Sequence, residues 1–373
     1  MTMKIMPIVI NLIQDLATPH NNVLIEQFVN RSDVQLKLWY ASAQDIGRYQ
    51  WVKDITHQHL TAEIYGTGLN LKFLYYCIRH RNEKFVIVGW MNINTFLLHI
   101  LFFFFRRPFN HWTDRPHTMR KSNFRRAILR WLANFLLRYS HCRVFCVGKT
   151  TIDYFRNLDF PETMLVNLPI FVSVDDNLSD FTLHKSEIFL RYEVPQEGFL
   201  ISAGSRLIFE KGYDLMIQAI AELPLELRSR AKVVIVGSGN EANNLKNLIS
   251  KLGLEHTVYI ENWLEIEDFK LLIANSDIFV HPARFDSYGG TIFAMALGVP
   301  VIGSDGAGAV VDRIRHKENG FIYSALDYRA LSRLIVNLAL EPTLRRVIGE
   351  GARQTALEWK PERGVEILIR NAI

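Results

Sequence analysis

The sequence predicts an α/β chain of two domains, each a parallel sheet wound by helices on both faces, and three observations carry that reading. From Phe199 to His281, apolar runs of strand length alternate with stretches of helical length, the pattern of a doubly wound parallel sheet. Two of these runs pass through glycine-bearing turns into helices, around Gly204 and around Gly289. At 373 residues the chain exceeds one typical core, and 49% hydrophobic residues leave material for two.

In order, Lys4 to Leu12 suits a buried first strand. Val34 to Tyr40 alternates as a second strand, Leu69 to Arg79 reads as a helix, and Phe85 to Trp90 as the next strand. Phe96 to Phe105 is bulky and apolar but shorter than the ~20 residues a membrane-spanning helix needs, so a buried helix is expected. From Arg106 to Arg143 there are ten basic residues against one acidic, Asp114. Within that region Phe124, Ile128, Trp131, Leu132 and Phe135 recur at helical spacing opposite Arg125, Arg126 and Arg130, which makes a basic amphipathic helix. Its apolar face is expected to pack at least in part on its own domain. Its charge favours peripheral contact with an anionic membrane, where each Lys or Arg near the surface contributes on the order of 1 kcal/mol.

Val144 to Val147 reads as a strand. The Gly148-Lys149-Thr150-Thr151 that follows is not a P-loop, because Arg143 stands where the earlier glycine is required. Thr150 or Thr151 is expected to cap a helix instead. The first domain is thus assigned residues 1–172, with the polar, aperiodic Phe171 to Asp180 as the connection. The second, residues 173–355, runs strand Phe199–Ala203, helix Tyr213–Glu222, strand Val233–Val236, helix Glu241–Leu252, strand Val258–Ile260, helix Ile266–Ala274 and strand Ile278–His281. Ligands of such a sheet bind beyond the carboxyl ends of its strands, where Arg206, Gly237 and Asp286 fall. Residues 356–373, with Trp359-Lys360-Pro361, form a final segment.

Composition narrows the function classes. Cys77, Cys142 and Cys146 lie in or beside apolar runs without metal-ligand partners at usable spacing, which points to buried thiols in a reducing compartment and to no metal site. Met1 to Ile13 holds one Lys and a short apolar run before Gln14-Asp15, so no signal peptide is read and a cytoplasmic location is expected, with peripheral contact at the inner face of the membrane. The net charge of +5 suits nucleic acid in sign, but no aromatic platform or recognition motif accompanies it, so no nucleic-acid partner is expected.

The chemistry concentrates in two turns. Gly204-Ser205-Arg206 leads to Lys211-Gly212, an Arg and a Lys five positions apart between a strand and a helix. That is a compact cationic site for a diphosphate. Downstream, Asp286, Tyr288, Gly289, Gly290 and Thr291 join a strand to a helix whose first amides would face the same anion. Glycine-rich turns are ordinary in parallel α/β domains. Two of them, one carrying Arg and Lys and the other a carboxylate, favour the phosphate reading.

From about Phe199 to Gly320 the sequence resembles the donor-binding domain of retaining glycosyltransferases of the GT-B fold, in particular family 4. The resemblance lies in the order and spacing of Gly204-x-Arg206-(x)4-Lys211-Gly212, Val236-Gly237-Ser238-Gly239, the Asp286-to-Ala296 loop and helix, and Gly298-Val299-Pro300-Val301-Ile302. It implies two Rossmann-like, doubly wound domains facing a central cleft, with the final segment crossing back to the first domain. It also implies a nucleotide diphosphate sugar as donor substrate, no further cofactor and no metal, since no Asp-x-Asp motif appears. Arg206 and Lys211 would stabilise the departing diphosphate as the anomeric carbon gains oxocarbenium character. Gly204, Ser205, Gly237, Trp263, Leu264, Tyr288, Gly289, Gly290 and Thr291 would hold the donor. Retention would follow from same-face attack without a protein nucleophile. Relatives carry a His-Asp pair at the strand end within Asn110 to His117; with Asp114 at the Asp, Thr113 falls at the His, and Asp114 and His117 are taken as cleft residues, with His111 nearby.

One departure stands out. The family has two glutamates separated by seven residues, the first meeting the sugar and the second the ribose. Asp286 stands for the first, and the second falls on Ala294 or Phe293, neither a carboxylate. Losing that charged hydrogen bond would cost ~1.5–3 kcal/mol of donor binding unless another group replaces it. A working glycosyltransferase of cell-surface polysaccharide or lipopolysaccharide synthesis, with a saccharide or lipid-linked saccharide acceptor, is the reading the residues favour. A catalytically silent GT-B protein that partners another transferase is the alternative. A non-hydrolysing epimerase would need more carboxylates around the sugar, and a phosphorylase a cofactor lysine and a longer chain.

Overall fold

The computed structural model describes residues 7–16, 18–29, 31–42, 62–90, 92–116, 124–174, 178–286 and 288–373. The chain forms two compact units, Met1–Phe171 with Pro361–Ile373, and Val172–Lys360. Each is a parallel sheet flanked by helices.

The first unit contains β1 Ile8–Gln14, β2 Val34–Tyr40, β3 Ala62–Ile64, β4 Lys84–Val88, β5 Phe109–Thr113, β6 Cys142–Cys146 and β7 Leu165–Asn167. They pair in the order β3-β2-β1-β4-β5-β6-β7, every pair parallel. Leu12 of β1 stands level with Leu38 and Val86, and all three are buried, as a strand covered on both faces requires. The short strands β3, β5 and β7 escape the sequence pattern because three to five residues carry too little periodicity to read. Helices Leu71–Arg79, Ile93–Phe104 and Phe124–Tyr139 follow β3, β4 and β5, and right-handed crossovers put all three on one face of the sheet. No helix among the described residues is long and apolar enough to cross a membrane.

Three expectations for this unit need correction. The Phe96–Phe105 run is helical and buries Leu98, His99 and Phe102, but Phe104 and Phe105 at its end are exposed. The Phe124–Tyr139 helix buries Ala133, Leu136 and Leu137, and leaves exposed the stripe Phe124, Ile128, Trp131 and Phe135 that was expected to pack. The helix has two apolar stripes, and periodicity alone cannot say which meets the sheet. Finally, Gly148, at φ 79°, is the N-cap of the Lys149–Arg156 helix, with no side-chain cap bond. Thr151 instead bonds the Val147 carbonyl at 2.8 Å and Asp114 at 3.2 Å.

The last helix, Pro361–Asn371, belongs to the first unit. Arg31 meets Glu366 at 2.5 Å, Arg143 donates to the Asn371 carbonyl at 2.9 Å, and the Ile373 amide donates to Asn110 at 3.3 Å. Gly364 lets it approach closely, since a Cβ there would meet the Phe171 ring and Leu24.

The second unit contains β8 Phe199–Gly204, β9 Ala231–Val236, β10 Val258–Glu261, β11 Ile278–His281, β12 Val301–Ser304 and β13 Phe321–Tyr323. The order is β10-β9-β8-β11-β12-β13, again all parallel. Ile201, Val233, Ile235, Ile278 and Val280 are sealed in its core with Met216, Ile217 and Ile220 of the helix Tyr213–Ala221. From β8 the chain steps outward through β9 to β10, then returns to place β11 on the other side of β8. The carboxyl ends of β8 and β11 therefore flank the switch point of this sheet, where an open α/β sheet leaves a crevice.

Candidate active site

The two turns singled out in the sequence leave the sheet on either side of that switch point and are laced together. The amides of Arg284 and Phe285 donate to the Glu210 carbonyl at 2.9 and 3.1 Å. The Arg284 guanidinium takes both oxygens of Asp214 at 2.6 Å each and stacks 4.2 Å from the centre of the Phe209 ring. Gly212 permits the approach: it sits at φ 69°, and a Cβ there would strike the Pro282 carbonyl oxygen. A fork-on-fork Arg–carboxylate pair adds geometry as well as attraction.

This lacing delivers Lys211 to Asp286. Both side chains are buried and they form a close ion pair through Asp286 Oδ2. His281, the last residue of β11, reaches the same oxygen with Nε2 at 2.9 Å, while its Nδ1 lies 2.7 Å from Thr291 Oγ1. Nε2–H donates to the carboxylate, and Nδ1 shares the other hydrogen bond with the Thr291 hydroxyl. Backbone bonds fix the carboxylate from behind. The Asp286 amide donates to the Gly306 carbonyl and the Gly308 amide to the Asp286 carbonyl, each at 3.1 Å. Burial alone would raise the Asp286 pKa, but the Lys211 charge, then the hydrogen bond and charge of His281, hold it well below the usual carboxylate range. Asp286 is an acceptor fixed in its ionised form.

Arg206 is different. It is exposed, and its side chain makes no hydrogen bond or ion pair with any described residue. Its loop is nonetheless held: the Ser205 amide donates to the Val236 carbonyl at 3.0 Å, the Leu207 amide to the Ser238 carbonyl at 2.7 Å, and Ser205 Oγ pairs with the Tyr213 hydroxyl at 2.7 Å. A Cβ on Gly237, at φ 148°, would strike the Ser205 carbonyl, so the turns after β8 and β9 touch backbone to backbone. Gly289 and Gly290 precede the helix Thr291–Ala296, whose first N–H groups have no carbonyl within the helix to bond. A Cβ on Gly289 would lie 3.2 Å from the His281 ring, and one on Gly290 would enter the Phe279 ring.

The structure thus brings Gly204, Ser205, Arg206, Lys211, Gly237, Asp286, Gly289, Gly290 and Thr291 to the carboxyl end of one sheet. Tyr288 is buried with its hydroxyl donating to Asp312, so it lends the site its backbone only. The Thr291 hydroxyl is committed to His281. Leu264 packs beside Val236 and Leu272, and Trp263 is half-buried after β10. Ala294, one of the two positions for a second carboxylate, is in the core. In the first unit, Asp114 is exposed at the end of β5 and accepts from the Arg115 amide at 2.7 Å. His117 lies outside the described residues. His111 is buried, with Nδ1 3.0 Å from His99 Nε2, and burial with the neighbouring His99 pushes its pKa well down.

Sequence reasoning missed His281, Arg284 and Asp214 as parts of the site. The signal for His281 was a lone polar residue closing an otherwise apolar strand, five positions before Asp286. Nothing local marked the Arg284–Asp214 pair, because its partners are seventy residues apart.

Known proteins share sequence and fold with this chain. Residues 185–355 match the family described as glycosyl transferases group 1. The chain is similar to the GDP-mannose-dependent alpha-(1-6)-phosphatidylinositol monomannoside mannosyltransferase of Mycolicibacterium smegmatis, 26% identical over 57% of this chain and 57% of that protein. It is also similar to the lipopolysaccharide core biosynthesis glycosyltransferase LpsE of Rhizobium meliloti, 26% identical over 55% of this chain and 61% of the relative. The chain therefore spans less than two thirds of the length of each of these relatives. Among solved structures, Anabaena HepE in complex with UDP superposes with a TM-score of 0.76 at 17% identity, covering 98% of this chain and 99% of that one. Residues 185–355, which hold every element of the site in the second unit, match the glycosyl transferases group 1 family, and the chain has the GT-B fold.

Proposed function

We propose that the protein is a glycosyltransferase of cell-surface polysaccharide or lipopolysaccharide assembly that takes its sugar from a nucleotide diphosphate donor. The observation that carries the reading is the contrast between Arg206, exposed and unpaired among the described residues, and the buried Lys211–Asp286 pair on the same crevice. Arg206 is a cation with no anion to satisfy it among the described residues. The Lys211 ammonium has three donors and shares one with Asp286, which leaves it able to bond a second anion.

The proposed mechanism uses that division. Arg206, Lys211 and the amides of Gly289, Gly290 and Thr291 hold the diphosphate and stabilise the charge that grows on it as the glycosidic bond breaks. Asp286, kept ionised, accepts hydrogen bonds from the transferred sugar. With cationic side chains meeting the leaving group, the chemistry calls on no metal. Transfer proceeds with retention, by attack on the face the diphosphate leaves. The acceptor is a lipid-linked saccharide met at the inner face of the membrane, a reading supported by a mannosyltransferase relative named for a phosphatidylinositol monomannoside. Three unpaired, buried cysteines suit a reducing compartment.

A thermal-shift screen against UDP, GDP, ADP and CDP and their sugars, repeated with Arg206→Ala and Lys211→Ala, tests the donor. Specific binding at a hundredfold excess over Kd stabilises by ~2.7 kcal/mol. A shift with one base that both variants lose is the expected result. A second reading, a catalytically silent partner of another transferase, is favoured by one observation, the lack of a carboxylate at Phe293 and Ala294. No shift with any nucleotide would establish it over the first.

A further inference from the structure

The motif Trp359-Lys360-Pro361 has no part in the site described above, and it stands where the chain leaves the second unit, which ends at Lys360. Trp359 follows the helix Pro342–Glu358 and faces a buried cation, the Arg313 guanidinium, whose carbon lies 3.7 Å from the centre of its ring. Arg313 closes the helix Gly308–Arg313, and its Nε lies 3.7 Å from Oδ2 of the buried Asp312. The same oxygen accepts the hydroxyl of Tyr288, the residue before Gly289. Burial pushes the Tyr288 hydroxyl pKa well up, so it keeps the proton that it donates.

This line of contacts ends on the stretch from Asp286 to Thr291. At its start, backbone bonds hold Asp286 to Gly306 and Gly308, each at 3.1 Å. At its end, the helix Thr291–Ala296 packs on the helix Pro342–Glu358, and Arg353 Nη1 donates to the Ala296 carbonyl at 2.6 Å. Between these ties lie Tyr288, Gly289 and Gly290. The glycines have no side chain to fix them and are the most permissive of residues, so the Tyr288 hydroxyl is the side-chain anchor next to them. A phenol on a buried carboxylate, backed by a guanidinium on an aromatic face, is a stiff support, because breaking any link strands a buried polar group. We propose that Tyr288, Asp312, Arg313 and Trp359 form a positioning clamp that holds Gly289 and Gly290 in place for the diphosphate, so that a residue at the exit of the second unit sets the phosphate affinity of the donor turn. The inference rests on the donor reading above for its ligand.

Calorimetry on the full chain tests the clamp, with whichever of UDP, GDP, ADP and CDP binds the wild type, and with the matching nucleoside measured by competition. The ratio of the two affinities isolates the phosphate contacts, since base and ribose are common to both. Tyr288→Phe, which keeps the ring and removes the hydroxyl, lowers the ratio by about fivefold, within the range of residues that act on a site through others. Trp359→Ala lowers it in the same direction, and Trp359→Phe, which keeps an aromatic face for Arg313, restores it. The double variant Tyr288→Phe, Trp359→Ala falls no further than Tyr288→Phe alone, because both changes act through one anchor. Tyr288→Phe decides the matter even where Trp359→Ala does not fold. Variants that unfold at lower denaturant yet keep the wild-type ratio have lost stability only and overturn the clamp. So do additive losses in the double variant, or equal losses of diphosphate and nucleoside affinity. Each of these leaves the donor reading standing, whereas a wild type that binds none of the diphosphates rejects the donor reading and the clamp together.

Discussion

His281 Nε2 lies 2.9 Å from Asp286 Oδ2, the oxygen that Lys211 also takes, so one carboxylate atom joins the strand β11 to the cationic turn after β8. His281 bridges Asp286 and the Thr291 hydroxyl, so it acts on the site by holding these two residues. Removing it with His281→Ala should destabilise the fold by ~1.5–3 kcal/mol, the worth of a hydrogen bond to a charged group. It should lower kcat of sugar transfer while leaving the thermal shift with nucleoside diphosphate in place, because the phosphate contacts survive. Parallel loss of nucleotide binding and kcat would show that His281 does more than hold Asp286.

The two cations of the β8 turn should separate in stability. Lys211→Ala leaves a buried carboxylate without its charge partner, which costs ~3–5 kcal/mol in such pairs. Arg206→Ala removes an exposed side chain without protein partners and should stay within ~0.5 kcal/mol of wild type. Denaturant unfolding of both, with the double variant Lys211→Met, Asp286→Asn as the control that recovers most of the loss, checks this.

Acid should find the same pair. The native Asp286 carboxyl is held below its ordinary range, so its contribution to stability is complete above the unfolded pKa of ~3.9 and is lost as pH falls toward the folded value. The stability difference between wild type and Asp286→Asn should be flat from neutral pH down to about 4 and shrink only below it. A difference that shrinks through the histidine range instead would move the linkage to His281.

The three cysteines should be silent in the native state. Burial raises all three thiols, Cys146 to about 12, so almost no thiolate is present at neutral pH. A thiol reagent should label none of them in native protein and all of them in denaturant. Labelling at native rates above those of global unfolding would contradict the burial.

Gly212→Ala should push the two turns apart. The position needs φ 69° and its Cβ would strike the Pro282 carbonyl, so a cost of ~1–3 kcal/mol is expected. Nucleotide affinity should fall with it, read by calorimetry on the folded variant.

The sequence by itself determined the class of fold and the ingredients of the site. Long buried strands such as Ile8–Gln14, Val34–Tyr40 and Ala231–Val236 declare themselves by apolar runs, and Gly204, Arg206, Lys211, Gly212, Asp286, Gly289 and Gly290 by their order around two strand ends. Both signals are local, and local patterns are what a linear reading sees. Only the tertiary structure decided how those ingredients combine. The strand order sets β8 against β11, and the pairing of Lys211 with Asp286, the recruitment of His281 and the Arg284–Asp214 clasp all follow from that adjacency of segments some seventy residues apart. The same holds for the Phe124–Tyr139 helix, whose apolar residues were legible. Which stripe turned inward depended on the sheet beneath it, so Ala133, Leu136 and Leu137 were buried and Trp131 was left facing outward.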